Sequence, residues 1–333
     1  LEAALASLHG QTLDPSRFEI IVVDDGSEPP IADSVSSELL EGVRLIRQTQ
    51  GGPGKARNTA LAEARGWLVH YLNADAVLAP ESCARHLAAH RRDAPPRAVL
   101  GRFDWLPRHR NAFIELSNRV GLMFPYVRAT TGKALGFEFF WTGNLSVPAA
   151  AVEAVDGFDA AHFPRAVFDD VEFGYRLLQS GVDLIFDPDN HCGHDHPMDL
   201  DGFLRWSEWL GHQWVTFADR HGHEPFRILG TAQPPTAAFA STLLAALVDQ
   251  NDDHTVRLVE MGRLLRGLDE ELTTATESER ARAADAREEA FGPLAEGLMT
   301  IHVARGVVGG ILGYTPDEAR AHAQAVRRVA GVH

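Results

Sequence analysis

Hydrophobic positions in the first seventy residues follow two spacings. Leu1, Leu5 and Leu8 recur every three or four residues, the period of one helical face. Residues 18–23 (FEIIVV) form instead a short β-branched run that enters acidic turn residues, the mark of a strand. Residues 43–46 read as a second strand, residues 57–64 (RNTALAEA) as a helix, and residues 66–72 (GWLVHYL) as a third strand. Strands alternating with helices at this pitch predict a parallel sheet with crossover helices. In such sheets ligands gather at the carboxyl ends of the strands, where the acidic turns fall here.

The pattern changes after residue 230. Residues 231–239 (TAQPPTAAF) look like a linker, and strand signals vanish. Residues 237–248 are apolar but too short for a membrane span, and they read as a buried helix. Leu258, Met261, Leu265 and Leu268 lie on one helical face. Residues 273–290, charged and Ala-rich, read as one solvated helix, and residues 316–329 as another, with Thr315 as its N-cap. The expected organisation is a working domain over residues 1–229 and a helical region over residues 230–333, whose amphipathic faces suit either a homodimer contact or a cover over an acceptor. No fixed-period repeat and no charged, apolar leader pattern is visible.

Composition narrows the function classes. The 333 residues carry 31 Lys+Arg against 46 Asp+Glu, a formal charge of -15. So strong an acidic excess argues against nucleic acid or an anionic bilayer as the main partner. Cys83 and Cys192 stand far apart, which excludes a disulfide framework and leads us to expect a reducing, cytoplasmic setting.

Candidate chemistry comes as an ordered series. Asp24-Asp25-Gly26-Ser27 follows the first strand, and Gly51-Gly52-Pro53-Gly54-Lys55-Ala56-Arg57-Asn58 opens a helix. The glycine stretch is not a phosphate loop of the GxxxxGK[ST] kind, because Ala56 follows Lys55. Asn73-Ala74-Asp75 ends the third strand. Then come Trp141-Thr142-Gly143-Asn144-Leu145-Ser146, Gly157-Phe158-Asp159, and Phe168-Asp169-Asp170-Val171-Glu172-Phe173-Gly174-Tyr175-Arg176.

In this order, over roughly residues 1–214, the motifs resemble those of family 2 glycosyltransferases with the GT-A fold. Members of that family read VDDGS, G-x-x-x-ARN, D-x-D, TGN-x-S, GGFD and ED-x-E-x-x-x-R. The resemblance implies a mixed sheet flanked by helices, and a bacterial, non-processive, inverting transferase that uses a nucleotide-diphosphate sugar, with a UDP-sugar as first choice. By analogy Asp24, Asp25, Gly54, Arg57 and Asn73 line the nucleotide site. Asp75 matches the metal-binding carboxylate, and Mn²⁺ or Mg²⁺ is the implied cofactor. Asn73 departs from D-x-D by losing a charge. Asp170 matches the catalytic base, with Asp169 in place of the usual Glu beside it. The same acidic residues also suit the first turn of a helix through its dipole, and Arg176 reads as a structural partner.

Further along, His191-Cys192-Gly193-His194-Asp195-His196-Pro197 invites a zinc reading, yet no second Cys/His pair accompanies it. The resemblance makes His194 the histidine that completes the metal site, with His196 as alternate. Arg205-Trp206 lacks the Gln of the processive Q-x-x-R-W motif, since Gly202 stands there. The aromatic group Phe103, Trp105, Phe124, Tyr126, Phe137, Phe139, Phe140 and Trp141 suits either an apolar acceptor or a core. Trp206, Trp209 and Trp214 likewise divide between sugar stacking and core. Two other readings stay open: a nucleotidyltransferase, whose glycine-rich N-terminal signature is not seen, and a non-catalytic sugar-nucleotide binder or scaffold. Finally, the family pattern starts with a hydrophobic strand ahead of the helix matching Leu1 to Leu8, so that strand is expected before Leu1.

Overall fold

The computed structural model describes residues 1–129, 132–222, 251–274 and 276–321. These residues form two compact units, one made of the described residues of 1–109 and 128–196, the other of residues 110–127 and the described residues from 197 onward. The expected boundary at 229/230, the linker 231–239, the apolar segment 237–248 and the end of the last helix, 322–329, lie outside the described residues.

The first unit carries all seven described strands. Helix α1 (Glu2–His9) buries Ala4 and Leu5, as the Leu1/Leu5/Leu8 spacing implied. Strand β1 (Ile20–Asp24) pairs in parallel with β2 (Val43–Arg47), Ile20 opposite Val43 and Asp24 opposite Arg47. Two single-turn helices, α2 (Ile31–Ser34) and α3 (Ser37–Leu40), connect them. Helix α4 (Pro53–Glu63) leads to β3 (Leu68–Leu72), then the short β4 (Ala76–Leu78) and helix α5 (Ser82–Ala88).

A second sheet has the order β3-β6-β5-β7-β4, with β5 (Arg97–Trp105), β6 (Asn144–Pro148) and β7 (Asp183–His194). Only β5 and β7 are parallel in it; β3–β6, β5–β6 and β4–β7 run antiparallel. The parallel arrangement expected from alternation therefore holds for β1–β2 and β5–β7, and the sheet is mixed. Helices α7 (Ala149–Glu153) and α8 (Asp169–Gln179) complete the unit. Its interior is Leu5, Leu100, Leu145, Phe140, Phe163 and Phe173, each at most 1% exposed.

The second unit is helical. Helix α6 (Ala112–Val120) is capped by Asn111 and packs Phe113 against Phe203 and Phe291. Helix α9 (Leu200–His221) lies along helix Glu277–Leu312 at close range, because glycines line the seam. A Cβ on Gly306 would sit 1.8 Å from the Glu208 carbonyl oxygen, so that position admits no side chain. Helix Asn251–Thr274 buries Met261 and Leu268, two of the four residues read as one face. The segment 273–290 is not one helix. Thr276 forms a capping box with Glu279, which stops one helix and starts the next. Thr315 and Glu318 make a second capping box, the N-cap expected there. Among the described residues, no helix is long and apolar enough to cross a membrane.

Candidate active site at the strand ends

Strand β1 delivers Asp24 and Asp25 to the mouth of the sheet. Asp24 is 1% exposed, and its carboxylate accepts hydrogen bonds from the Ser27 N–H (2.8 Å), the Ile31 N–H (3.1 Å) and Arg47 (2.6 Å). Burial alone would raise its pKa; these donors outweigh it and bring the group to about 2. Asp25 accepts from Gln48 Nε2 (2.6 Å) and from the N–H groups of Gly51 (2.9 Å) and Gly52 (2.7 Å). Its carboxylate thus caps the start of α4, where the helix dipole favours an anion. Burial opposes that ionised form, but the same donors and the Lys55 charge hold its pKa below the usual range. Gly52 has φ +87°, and a Cβ there would lie 1.9 Å from the Pro164 carbonyl oxygen, so only glycine fits. Gly54 is buried in the first turn of α4 against Phe158. Of the two aspartates singled out in sequence, Asp24 locks the DDGS turn and Asp25 fastens the glycine loop to it.

Helix α4 then presents Arg57 and Asn58. Asn58 clasps the Phe158 backbone with both side-chain atoms, each at 2.8 Å, and so fixes the Gly157-Phe158-Asp159 turn. Arg57 donates to Asp169 Oδ2 at 2.7 Å and to Asn73 Oδ1 at 3.2 Å, over the Phe158 ring. The end of β3 and the start of α8 are therefore held by one guanidinium, whose planar fork serves both acceptors.

The start of α8 is strained and acidic. Phe168 precedes it at φ +71°, a left-handed conformation uncommon for a bulky residue. Asp169 is 4% exposed; burial raises its pKa against the opposing Arg57 charge. Asp170 is half-buried and accepts from the Val171 N–H (2.9 Å) and more weakly from the Thr142 N–H (3.4 Å). Burial, followed by the neighbouring Asp169 charge, lifts its pKa to about 7. A carboxylate poised there suits proton transfer near neutral pH. Glu172 and Arg176 form a two-pronged pair at 2.8 Å, and Arg176 also holds the Val155 and Gly157 carbonyls, a structural role.

Asp75 lies at the start of β4, and the sheet register explains its histidine neighbours. Strand β7 runs between β5 and β4 with His194 opposite both Ala76 and Trp105, and the Asp195 N–H bonds the Asp75 carbonyl at 2.8 Å. Asp75 Oδ2 consequently sits 3.5 Å from His194 Nε2 and 3.5 Å from His196 Nδ1. Phe103 stacks on the His194 ring (centroids 4.4 Å apart) and sets its plane. Asp195 itself turns away to Arg108 and His109.

Asp75, His194 and His196 bring one donor atom each within 4.8 Å of one another, and they are the only such group of three among the described residues. Asp75 Oδ1 and His194 Nδ1 are buried without a hydrogen-bond partner. An orphaned carboxylate oxygen beside two imidazoles fits a divalent ion, and the nitrogen donors suit Mn²⁺ better than Mg²⁺. The Asn73 side-chain oxygen accepts from Arg57. Cys192, buried in β7, is outside this group of three.

Two further sequence features turn out to be interior. Asn144 and Ser146 of the TGN-x-S motif join His70, His86 and His90 in a hydrogen-bonded cluster with contacts of 2.7–2.9 Å. Phe103, Trp105, Phe137, Phe139 and Phe140 are 0–6% exposed and are core; Phe124, Tyr126 and Trp141 are only half-buried. Trp209 is also buried, whereas Trp206 and Trp214 are partly open. His196 was legible only as an alternate to His194, since a strand register, not a spacing, brings both to Asp75.

Residues 1–144 match the family described as "Glycosyl transferase family 2". The chain is 31% identical over 209 residues to the validoxylamine A glucosyltransferase of Streptomyces hygroscopicus subsp. limoneus, covering 55% of this chain and 46% of that protein. It is 43% identical over 86 residues to the succinoglycan biosynthesis protein ExoW of Rhizobium meliloti, covering 24% of this chain and 26% of that one. The chain thus spans about half the length of the Streptomyces relative. Among solved structures, the mannosyltransferase PcManGT of Pyrobaculum calidifontis, in complex with GDP-Man and Mn²⁺, superposes with a TM-score of 0.56. It is 19% identical and covers 93% of this chain and 82% of its own. That likeness places the chain in the GT-A fold.

Proposed function

We propose, from the match of residues 1–144 to glycosyl transferase family 2, that this chain moves a sugar from a nucleotide-diphosphate sugar to a small-molecule or glycan acceptor. The observation that carries the reading is the Arg57 bridge. It ties the strand end that leads into Asp75 to the helix that begins with Asp169 and Asp170.

In this reading Asp170 takes the proton from an acceptor hydroxyl, amine or thiol. The freed heteroatom attacks the anomeric carbon, the bond from that carbon to the diphosphate oxygen breaks, and the configuration inverts. The nucleoside diphosphate leaves with the electron pair. General-base help of this kind is worth roughly 10²–10⁴-fold, and orientation of the reactants supplies further acceleration. Asp75, His194 and His196 would hold a divalent ion, whose charge offsets that of the diphosphate. Arg57 acts as a positioning residue: its charge opposes the burial that raises the Asp169 pKa, and it holds α8 against β3. Asp25 keeps the glycine loop in place beside them.

UDP-sugars are the first donors to test, with GDP- and dTDP-sugars beside them. Release of nucleoside diphosphate that needs Mn²⁺, stops with EDTA and is lost in Asp170→Asn would support the reading. A second reading, a non-catalytic nucleotide-sugar binder, rests on Asn73 standing where the family carries a carboxylate. Donor binding without turnover under every metal condition would favour it.

A further inference from the structure

The helical unit holds a pair of histidines that the reaction above does not use. Helices Asn251–Thr274 and Glu277–Leu312 run antiparallel, with His254 beside His302, Arg257 against Gly297 and Arg287 against Gly267. His254 stands 20 residues before Thr274, where its helix ends. The pair therefore sits about 30 Å from the turn, at the open end of the hairpin. There the two Nε2 atoms face each other at 3.1 Å, with the ring centroids 5.2 Å apart.

The far nitrogen of His302 decides what that gap presents. His302 Nδ1 lies 2.7 Å from Glu208 Oε1, and a carboxylate only accepts, so Nδ1 carries the hydrogen. Neutral His302 thus turns the lone pair of Nε2 toward His254. Arg320 pairs with the other Glu208 oxygen and meets its charge, so the carboxylate can fix this tautomer without demanding an imidazolium. Glu208 and His302 are each 9% exposed, whereas His254 is half-buried and gives solvent a way in.

A carboxylate on the far nitrogen is the usual outer partner of a metal-binding histidine. Two nitrogen ligands of a tetrahedral zinc ion, each about 2.0–2.1 Å from it, stand about 3.3 Å apart. The spacing seen here is close to that. Hard Mg²⁺ and Mn²⁺ prefer oxygen, and this pair offers nitrogen, which favours Ni²⁺, Cu²⁺ and Zn²⁺.

We propose that His254 and His302 form a second metal site, which takes Zn²⁺ or a similar late transition ion and ties the open end of the hairpin together. Without the ion, His254 Nε2–H donates to His302 Nε2. On binding, the His254 hydrogen passes to its Nδ1, both Nε2 lone pairs go to the metal, and no net proton is released. Among the described residues no third His, Cys, Asp or Glu completes a group of three there. The ion accordingly keeps positions for water, and the site is weaker than a closed four-ligand one. Glu208 is a positioning residue for His302. This site does not depend on the reaction proposed above.

The test titrates Zn²⁺ calorimetrically into the full chain carrying His194→Ala and His196→Ala, which removes the imidazoles beside Asp75. Amide exchange of residues 254–260 and 298–304 is followed with and without the ion. Zinc is expected to slow exchange of both segments by on the order of tenfold or more, and Mg²⁺ to leave them unchanged. His254→Gln, a change at a half-buried position, is expected to lower zinc affinity by about tenfold or more and to cancel that protection. Glu208→Gln is expected to lower zinc affinity by roughly tenfold, and Glu208→Asp to recover part of it. Zinc affinity unchanged in His254→Gln, protection undiminished in that variant, or equal protection by Mg²⁺ would each overturn the proposal.

Discussion

Arg57 and Asp169, 112 residues apart in the chain, meet in a 2.7 Å ion pair in which Asp169 is 4% and Arg57 15% exposed. The same guanidinium reaches Asn73 at 3.2 Å. A neutral Asn at that position leaves the arginine's charge to Asp169, whereas a carboxylate there would compete for it. The departure of Asn73 from the family's D-x-D thus has a local electrostatic counterpart.

Arg57→Gln strands Asp169 as an unpaired buried carboxylate. The expected loss is about 3 kcal/mol of unfolding free energy, read from urea titration at pH 7. Arg57→Lys should recover only part, because one ammonium cannot span both acceptors. A loss below about 0.5 kcal/mol in Arg57→Gln would mean the pair holds nothing in place.

Asp170→Asn should lower transfer by roughly 10²–10⁴-fold while nucleotide affinity changes little. With a pKa of about 7, Asp170 is protonated in mild acid and cannot accept a proton there. Turnover should therefore climb as pH rises from 6 to 8 and then level. A flat profile across that interval would exclude Asp170 as the titrating base.

The metal reading predicts unequal roles for the two histidines. His194 is buried and braced by Phe103, and His196 is 51% exposed. Removing Asp75 or His194 should weaken Mn²⁺ binding by about tenfold or more, and His196→Ala by less, as followed by the paramagnetic signal of free Mn²⁺. Unchanged binding in Asp75→Asn would dissolve the site.

His70, His86 and His90 predict acid sensitivity. Burial lowers all three, His70 and His90 to about 4 and His86 well below its ordinary value. The unfolded chain then binds more protons than the folded one between pH 6.5 and 4. Stability is full above about 6.5 and falls as pH drops, by at most about 1.4 kcal/mol per pH unit for each histidine. Urea midpoints from pH 7 to 4.5 should show this, and His90→Gln should flatten the slope.

Much of this was written in local patterns. The runs at 18–23, 43–46 and 66–72 became β1, β2 and β3 because apolar β-branched stretches report strands directly. Strand β7 was invisible for the opposite reason: it mixes Asp183, Asp187, Pro188, Asp189 and His191 among its apolar residues, and neighbours on both sides impose its conformation. Because β7 was unseen, so was the register that gathers Asp75, His194 and His196. The helix stop before Thr276 was encoded as a capping box, but the uniform charged composition around it hid the break. Asn144 and Ser146 read as motif residues, and only the fold reveals that buried histidines occupy their polar atoms.

The most direct test of the central claim follows nucleoside diphosphate release and donor binding together, in wild type and Asp170→Asn, with UDP-, GDP- and dTDP-sugars in Mn²⁺ and in EDTA. The account predicts release from one donor class only in Mn²⁺, its loss in Asp170→Asn, and binding of that donor retained by the variant. Equal release by the two proteins, or release undiminished by EDTA, would contradict it.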